Sequence, residues 1–354
     1  MYCKFVLRRP PNAKPFPLVA SVIDNLIINK RIFKMTITIL DDYQNIIKEL
    51  DCFKKLTNQE VQIINSTEKD VKKLAQKLLN TDILVLTRER TEVNEALLSL
   101  LPNLKLISQT GKISNHLNLA DCTKYKVAVA EGIGSPIAPA ELTWALIMNT
   151  VRQIPQAIEG MKNGKWQINI GSTIHGKTLG IWGYGKIGQR IAQYAKVFGA
   201  KVLVWGSETS REKAVADGFD SAETKENFFK TSDIITLHLR LNEKTLGIVK
   251  ENDLLCMKEN SVLINTARAE LIEKGKLLKC LTIGRPIFAG LDVYEEEPIY
   301  DKNFELLKLP NVVCTPHLGY VERNGYELYF GKAFENVINF INGNPTNIAN
   351  PDAL

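Results

Sequence analysis

The sequence lacks the features that mark metal-binding, disulfide-rich and membrane proteins. Its six cysteines lie at least 24 residues apart, so no CxxC pair is present to begin a zinc site or a dithiol redox motif. No apolar run approaches the roughly 18 residues of a membrane span. Residues 16–23 come nearest to a secretory core, but they are few and include Pro17. We therefore expect a cytoplasmic protein with no metal site and no membrane association.

Clustered positive charge is also missing from most of the chain. The formal net charge is +6, and residues 1–34 alone account for it with seven Lys or Arg against Asp24. The remaining residues balance 38 basic side chains with 38 acidic ones. A nucleic-acid-binding fold needs clustered positive charge on its folded face, so we expect no nucleic-acid partner.

The basic N-terminal extension, residues 1–34, ends just before Met35. We expect this extension to be disordered or to lie upstream of a natural start at Met35. A targeting peptide is the alternative, although four prolines between residues 10 and 17 interrupt any amphipathic helix there.

The length of the chain suits two α/β domains. At about 150 residues per domain, 354 residues predict two, and an apolar content of 45% is enough for two cores. Apolar runs alternate with helical patterns, which is typical of parallel sheets with crossover helices. Gly and Pro within residues 131–136 mark the boundary, and residues 326–341 predict a long last helix. The predicted strands cover residues 36–40, 61–64, 83–86, 104–107 and 127–130 before that boundary, and residues 178–182, 201–205, 234–237, 261–264, 287–291 and 312–314 after it.

A glycine-rich loop stands between a predicted strand and a predicted helix, residues 178–182 and 189–198. Its glycines, Gly183, Gly185 and Gly188, have the GxGxxG spacing of dinucleotide-binding loops, and the strand and helix provide the context that this motif requires. The first glycine permits a tight turn, the second lets the backbone approach a pyrophosphate, and the third lets the helix pack closely on the strand. The helix N-terminus then attracts the pyrophosphate charge, which predicts a nicotinamide dinucleotide cofactor.

The choice between NAD and NADP stays open. An acid at the end of the next strand would hold the adenosine ribose of NAD, but Gly206 and Ser207 stand there instead. Glu208 still lies within reach of the ribose, whereas Ser207 and Arg211 are suited to a 2′-phosphate.

Charged side chains follow three strands of the second series. Arg268, Asp292, Glu297 and His317 all come after an apolar run, so parallel strands would deliver them to the same edge as the glycine loop. Arginine grips a carboxylate bidentately, and histidine with a supporting carboxylate exchanges a proton near neutral pH. These groups suit hydride transfer to a 2-keto acid, with the hydride carried by the cofactor. The other histidines have no comparable partners and are predicted to be structural: His116, His175 and His238.

Several motifs occur in a fixed order between residues 35 and 350: RERT at 88–91, GKTLG at 176–180, GYGKIG at 183–188, NTAR at 265–268, GLDVY at 290–294 followed by Glu297-Pro298, and TPHLG at 315–319. With these motifs the chain resembles the D-isomer-specific 2-hydroxyacid dehydrogenase family, which includes phosphoglycerate, glyoxylate/hydroxypyruvate and D-lactate dehydrogenases.

The resemblance implies roles for individual residues. Arg268 would anchor the substrate, His317 would act as acid and base, and Glu297 would orient His317. Asp292 would hold the nicotinamide carboxamide. The implied cofactor contacts are Gly183, Gly185, Lys186, Ile187, Gly188, Ser207, Thr266, Ala267, Asp292 and Gly319, and the implied substrate contacts are Arg88, Gly111, Lys112 and Arg268.

The resemblance also implies an architecture and a reaction. A Rossmann-type doubly wound parallel-sheet cofactor domain would cover residues 135–318, and a smaller flavodoxin-like α/β substrate domain would combine residues 35–134 with 319–354. We expect a homodimeric NAD(P)-dependent oxidoreductase that interconverts a D-2-hydroxy acid and its 2-keto acid at a CH–OH group. The alternative on the same fold is a binding protein that senses NAD(H), like the co-repressors that resemble these enzymes.

Two departures concern the substrate. The carboxylate-binding loop of many members has two glycines, of which this chain keeps only Gly111, so backbone N–H groups near Gly111 and Lys112 would have to bind the carboxylate. Arg88 and Arg90 match positions that face the cleft in phosphoglycerate-type members, which leaves a phosphorylated substrate open.

Overall fold

Residues 35–354 are described by the computed structural model, so the expectations for the basic extension, residues 1–34, lie outside the described residues. Residues 36–130 contain a five-stranded parallel sheet in the order β2-β1-β3-β4-β5. Its strands are β1 (Thr36–Ile39), β2 (Glu60–Ile63), β3 (Ile83–Leu86), β4 (Leu106–Gln109) and β5 (Ala128–Ala130).

The second sheet has seven parallel strands in the order β12-β11-β10-β9-β6-β7-β8. The chain adds strands on one side of β6 and then, from β9 onward, on the other, which creates the switch point where such sheets bind ligands. The strands are β6 (Thr178–Trp182), β7 (Lys201–Trp205), β8 (Asp220–Ser221), β9 (Ile234–Leu237), β10 (Val262–Asn265), β11 (Phe288–Leu291) and β12 (Val312–Cys314). The two parallel sheets confirm the predicted α/β fold class.

Helices cover the faces of both sheets, which is why the inner strands are continuously apolar. The strand β3, for example, is buried at every position. The α-helices are Val71–Leu78, Glu95–Leu98, Leu119–Lys124, Ile137–Arg152, Ile154–Lys162, Lys186–Val197, Glu208–Ala216, Lys225–Thr231, Glu251–Leu255, Lys276–Thr282, Glu305–Lys308 and Arg323–Ile341, and short 3-10 helices cover Ile47–Glu49, Asp51–Leu56, Ala269–Leu271 and Pro351–Ala353.

The last helix, Arg323–Ile341, returns to the first sheet. Its buried Phe330 and Phe334 share one apolar core with Ile37 and Ile83 of that sheet. The helix Ile137–Arg152 instead packs on the second sheet, where Leu146 and Ile147 join the core around β6 and β10. The chain therefore leaves the first sheet after β5 and comes back to it only at its end, while the boundaries at 134/135 and 318/319 stay a prediction.

Six of the predicted strands begin or end one or two residues away from their expected bounds, and three further elements differ more clearly from the sequence-based expectation. The strand β8 was not predicted because it has two residues, Asp220 and Ser221, and no apolar run. The helix after the glycine loop begins at Lys186 instead of residue 189, directly after Gly185. The last helix begins at Arg323 instead of residue 326, because the Glu322 side chain accepts hydrogen bonds from the first backbone N–H groups and caps it.

No helix within residues 35–354 is long and apolar enough to cross a lipid bilayer. The same residues contain no cluster of three or more His, Cys, Asp or Glu side chains placed to hold a metal ion.

Candidate active site

The imidazole of His317 and the carboxylate of Glu297 form the central pair of the site. His317 Nδ1 donates to Glu297 Oε2 at 2.6 Å, and Glu297 Oε1 accepts the backbone N–H of Tyr294 at 2.9 Å. The two side chains are 32% and 31% exposed, so the pair is sheltered but reachable from solvent. A carboxylate on Nδ1 fixes the tautomer of the ring and leaves Nε2 for proton exchange.

The Asp292 carboxylate holds the loop that carries His317 through hydrogen bonds. This carboxylate is fully buried and accepts from Thr315 Oγ1 at 2.7 Å, Leu318 N at 2.7 Å and Gly319 N at 3.0 Å. Burial raises the pKa of Asp292, although these hydrogen bonds and the nearby His317 favour the ionised form. The contacts span both sides of His317, whose φ of 52° is uncommon for a non-glycine residue. Asp292 and Gly319 thus contact each other, and their cofactor contacts stay a prediction.

The segment after β10 presents Arg268. The buried Asn265 side chain closes this turn, because its Oδ1 accepts from Ala267 N at 3.1 Å and its Nδ2 donates to Arg268 O at 2.8 Å. Arg268 Nη1 also donates to Ala267 O at 2.6 Å. Sequence reasoning misses this task of Asn265, whose only signal is a polar residue at the end of an apolar strand.

Arg268 has a carboxylate partner that the sequence did not predict. Its Nη2 donates to Glu89 Oε1 at 2.6 Å, and the two side chains are 29% and 25% exposed. Glu89 lies in the loop after β3, so this ion pair joins the carboxyl ends of the two sheets. Burial alone would raise the pKa of Glu89, but the charge and hydrogen bond of Arg268 lower it below its usual value.

Arg88 is packed between aromatic rings and a glycine. Its guanidinium lies 5.4 Å from the ring centre of Tyr320 and 5.9 Å from that of Tyr329. A Cβ atom at Gly111 would stand 1.8 Å from Arg88 Nη1, so the glycine leaves the space that the guanidinium fills. The ring of Tyr320 is also 5.8 Å from that of His317. The ring of Tyr320 therefore contacts both Arg88 and His317. Glu89, the next residue after Arg88, forms the ion pair with Arg268.

The loop after β4 supplies backbone donors. The N–H groups of Gly111 and Lys112 donate to no protein acceptor within residues 35–354. The Lys112 side chain forms an ion pair with Glu131, which also accepts from Ile113 N at 3.1 Å. The loop is held in place by Glu131, and its two free N–H groups suit a carboxylate. Arg90 donates to Asp41 O at 2.7 Å and lies 4.2 Å from the ring centre of Tyr43.

The glycine loop has the shape that a pyrophosphate requires. Gly183 has a φ of 102°, and a Cβ there would stand 2.8 Å from His238 O. A Cβ at Gly188 would stand 2.1 Å from Gly183 O, so helix and strand need this glycine to pack together. A Cβ at Gly185, in contrast, would have no atom within 4 Å. The open face at Gly185 fits a dinucleotide that binds there.

The other predicted cofactor residues surround this loop. Lys186 and Ile187 form the first turn of the helix Lys186–Val197, whose N-terminal N–H groups face the loop. The Thr266 hydroxyl shares a hydrogen bond of 2.7 Å with Thr143 on the helix Ile137–Arg152. Ala267 lies beside it in the turn that Asn265 closes.

A helix cap, Ser207, and a cation, Arg211, follow the end of β7, and no acid stands at the position directly after the strand. Ser207 Oγ accepts from Ser210 N at 3.3 Å and caps the helix Glu208–Ala216. The Arg211 guanidinium lies 5.1 Å from the ring centre of Trp205, and its buried Nε has no hydrogen-bond partner within residues 35–354.

Two of the remaining histidines, His116 and His238, are half-buried in different surroundings. His238 shares a hydrogen bond of 3.0 Å with Thr236, and burial lowers its pKa to about 4, so the ring is neutral. Both ring nitrogens of His116 are buried without a hydrogen-bond partner in the described part of the chain. Burial lowers the pKa of His116, and the charges that act on it are those of Glu89, Arg88 and Arg268. The structural role expected for His116 stays a prediction.

Comparison with known proteins places these motifs in a family. A profile described as "D-isomer specific 2-hydroxyacid dehydrogenase, NAD binding domain" matches residues 144–319. The chain is 35% identical to glyoxylate reductase of Thermococcus litoralis over 79% of its own length and 87% of that relative. It is 35% identical to D-3-phosphoglycerate dehydrogenase of Bacillus subtilis over 77% of its own length but only 52% of that relative. A putative D-3-phosphoglycerate dehydrogenase oxidoreductase from Ralstonia solanacearum superposes with a TM-score of 0.88 at 48% identity, covering 90% of this chain and 98% of that one.

Two alanine substitutions separate the role of packing from that of cofactor binding. Gly185→Ala adds a methyl group in open space, so we expect an unchanged melting temperature and a loss of NADH binding of at least tenfold, measured by fluorescence titration. Gly188→Ala drives a methyl group into Gly183 O, so we expect a lower melting temperature as well. Unimpaired NADH binding by Gly185→Ala would contradict the proposed cofactor position.

Proposed function

We propose that this chain, which belongs to the D-isomer-specific 2-hydroxyacid dehydrogenase family, transfers a hydride between a nicotinamide cofactor and a D-2-hydroxy acid or its 2-keto acid. The observation that carries the proposal is the His317–Glu297 hydrogen bond of 2.6 Å at the sheet edge that also presents Arg268 and the glycine loop. The co-repressor-like alternative has no comparable support, because the three relatives named above are all named as enzymes.

Each side chain has a defined task in this reaction. Arg268 and the free N–H groups of Gly111 and Lys112 bind the substrate carboxylate and orient the carbon that reacts. In the reducing direction His317 Nε2 gives a proton to the carbonyl oxygen, and in the oxidising direction it takes that proton back. Glu297 stabilises the imidazolium form and keeps the ring in position. When bound, the cofactor supplies or accepts the hydride.

The site is built so that the two sheets close around the substrate. Arg268 and the His317 loop belong to the second sheet, whereas Arg88 and the Gly111 loop belong to the first. Closure of the cleft brings these groups together and excludes water from the reacting atoms. The reactions named for the relatives suggest a short 2-keto acid, such as glyoxylate or hydroxypyruvate, and phosphorylated acids belong in the same substrate panel.

We further propose that the protein accepts NADPH as well as NADH. The two residues that follow Trp205 at the end of β7, Gly206 and Ser207, carry no charge that would repel a 2′-phosphate, while Glu208 remains within reach of the ribose of NADH. The Arg211 side chain lies over Trp205 with an unpartnered Nε, which provides a cation beside the expected ribose position.

The kinetic test is oxidation of NADH and of NADPH with a panel of 2-keto acids. We expect turnover by the wild-type protein with both cofactors, and losses of at least 100-fold in kcat/KM for His317→Ala and Arg268→Ala, in keeping with acid–base contributions of about 10²–10⁴-fold. His175→Ala, a change at an exposed histidine, is the matched control and should retain activity. No turnover of any acid, or turnover that ignores both substitutions, would refute the function; strict use of NADH would remove the role of Arg211.

Homodimer formation and a cytoplasmic location complete the proposal. The helix Ile154–Lys162 and the segment after it expose large apolar side chains, among them Met161 at 67%, Trp166 at 77% and Ile170 at 94%. A second copy that covers this surface would remove it from water. The dispersed free thiols support a reducing compartment. Sedimentation equilibrium of the wild-type protein should give twice the mass of one chain. Trp166→Glu should lower the measured mass toward that of a single chain, and a wild-type monomer would contradict the dimer.

A further inference from the structure

We propose that Glu89 competes with the substrate carboxylate for Arg268, and that His116 receives Glu89 when the substrate binds, so that these two residues set the affinity for the substrate. The proposal rests on the proposed function in one respect, the binding of the substrate carboxylate by Arg268. Neither Glu89 nor His116 touches the reacting atoms in this scheme; both act through Arg268.

Glu89 and the substrate offer Arg268 the same chemical group, a carboxylate. The Glu89 carboxylate lies 2.6 Å from the guanidinium of Arg268. The guanidinium is otherwise engaged only with the carbonyl of Ala267 within residues 35–354. A substrate that arrives at Arg268 must therefore displace Glu89 or share the guanidinium with it.

Electrostatic repulsion disfavours the shared arrangement. Two carboxylates on one guanidinium lie a few ångströms apart, and their repulsion is weakly screened because the pair is mostly buried. The neighbouring Arg88 does not offer an easy alternative, because its guanidinium already packs on Tyr320 and Tyr329 and against Gly111. Glu89 needs a different partner once the substrate is bound.

The imidazole of His116 is suited to be that partner. Buried polar groups almost always have a hydrogen-bond partner, and both nitrogens of this ring lack one within residues 35–354. His116 also lies near Glu89: Val93, four residues after Glu89, donates its N–H to the backbone carbonyl of His116 at 2.8 Å, and the charge of Glu89 acts on the His116 ring. A state in which Glu89 turns from Arg268 to His116 satisfies the imidazole and frees the arginine.

This exchange predicts that substrate binding takes up a proton. In the present state burial lowers the pKa of His116; Glu89 opposes this effect, and Arg88 and Arg268 reinforce it. Direct pairing with Glu89, together with an anionic substrate on Arg268, raises that pKa and makes imidazolium the favoured form. The charged His116–Glu89 pair stabilises the substrate complex fully at pH values below the pKa of His116 in the substrate-free state. This stabilisation is lost as pH rises through the higher pKa of His116 in the bound state.

The test uses the full chain with NADH and oxamate, an unreactive carboxylate analogue of a 2-keto acid. Glu89→Gln removes the competing charge but keeps the shape of the side chain, so we expect oxamate to bind about tenfold more tightly by isothermal titration calorimetry, with a similar fall in KM for the 2-keto acid. Glu92→Gln, an exposed change on the same loop, is the matched control and should leave both constants unchanged. Unchanged or weaker oxamate binding by Glu89→Gln would overturn the proposal.

His116→Asn tests the receiving group. We expect His116→Asn alone to weaken oxamate binding. In the Glu89→Gln background it should have no effect, because His116 then has no Glu89 carboxylate to bind. Proton uptake, measured from binding heats in buffers of different ionisation enthalpy, should fall in both single variants. Additive effects of the two substitutions, or unchanged proton uptake, would contradict the exchange. Turnover that requires Arg268 but ignores Glu89 would refute this proposal alone, whereas absence of turnover would refute the proposed function.

Discussion

The site depends on one constraint, the parallel direction of every strand in both sheets. Parallel pairing sends all loops that follow a strand to the same edge, so side chains far apart in sequence meet there. The Arg268–Glu89 ion pair shows that the two edges also face each other, because it joins the end of β10 to the end of β3 at 2.6 Å. The cleft between the sheets is thus lined by charges from both, which is the arrangement that a small acid and a dinucleotide would need.

Within this cleft the His317 loop and its imidazole are held by two carboxylates. Asp292 binds the residues on both sides of His317, and Glu297 holds the ring itself. The left-handed backbone of His317 is unfavourable for an isolated residue, so these hydrogen bonds must compensate for it. Asn265 performs the corresponding task for the Arg268 turn. Both reactive side chains therefore depend on a buried polar residue at the end of a strand.

The fold, and the position of Arg268, Glu297 and His317 after strands of one sheet, could be predicted because their signals are local. The predicted bounds of β6, β7, β9 and β12 agree with the structure, since each is an apolar run bounded by polar residues or by a segment that contains glycine. Arg268, Glu297 and His317 stand three to six residues after the ends of β10, β11 and β12. Glu89 and His116 gave no local signal: Glu89 meets an arginine 179 residues away, and His116 lies beside charges from two other loops. Contacts of this kind arise from packing between sheets, which periodicity and composition do not encode.

The central claim is that this cleft adds a hydride to one face of the carbonyl carbon of a 2-keto acid and a proton to the carbonyl oxygen. The most direct measurement is chiral chromatography of the product formed from a 2-keto acid that yields a chiral alcohol, such as pyruvate or hydroxypyruvate, together with the amount of NADH or NADPH consumed. We expect one D-2-hydroxy acid for each cofactor oxidised and no L-isomer. An L-product, or cofactor oxidation without formation of a hydroxy acid, would contradict the account.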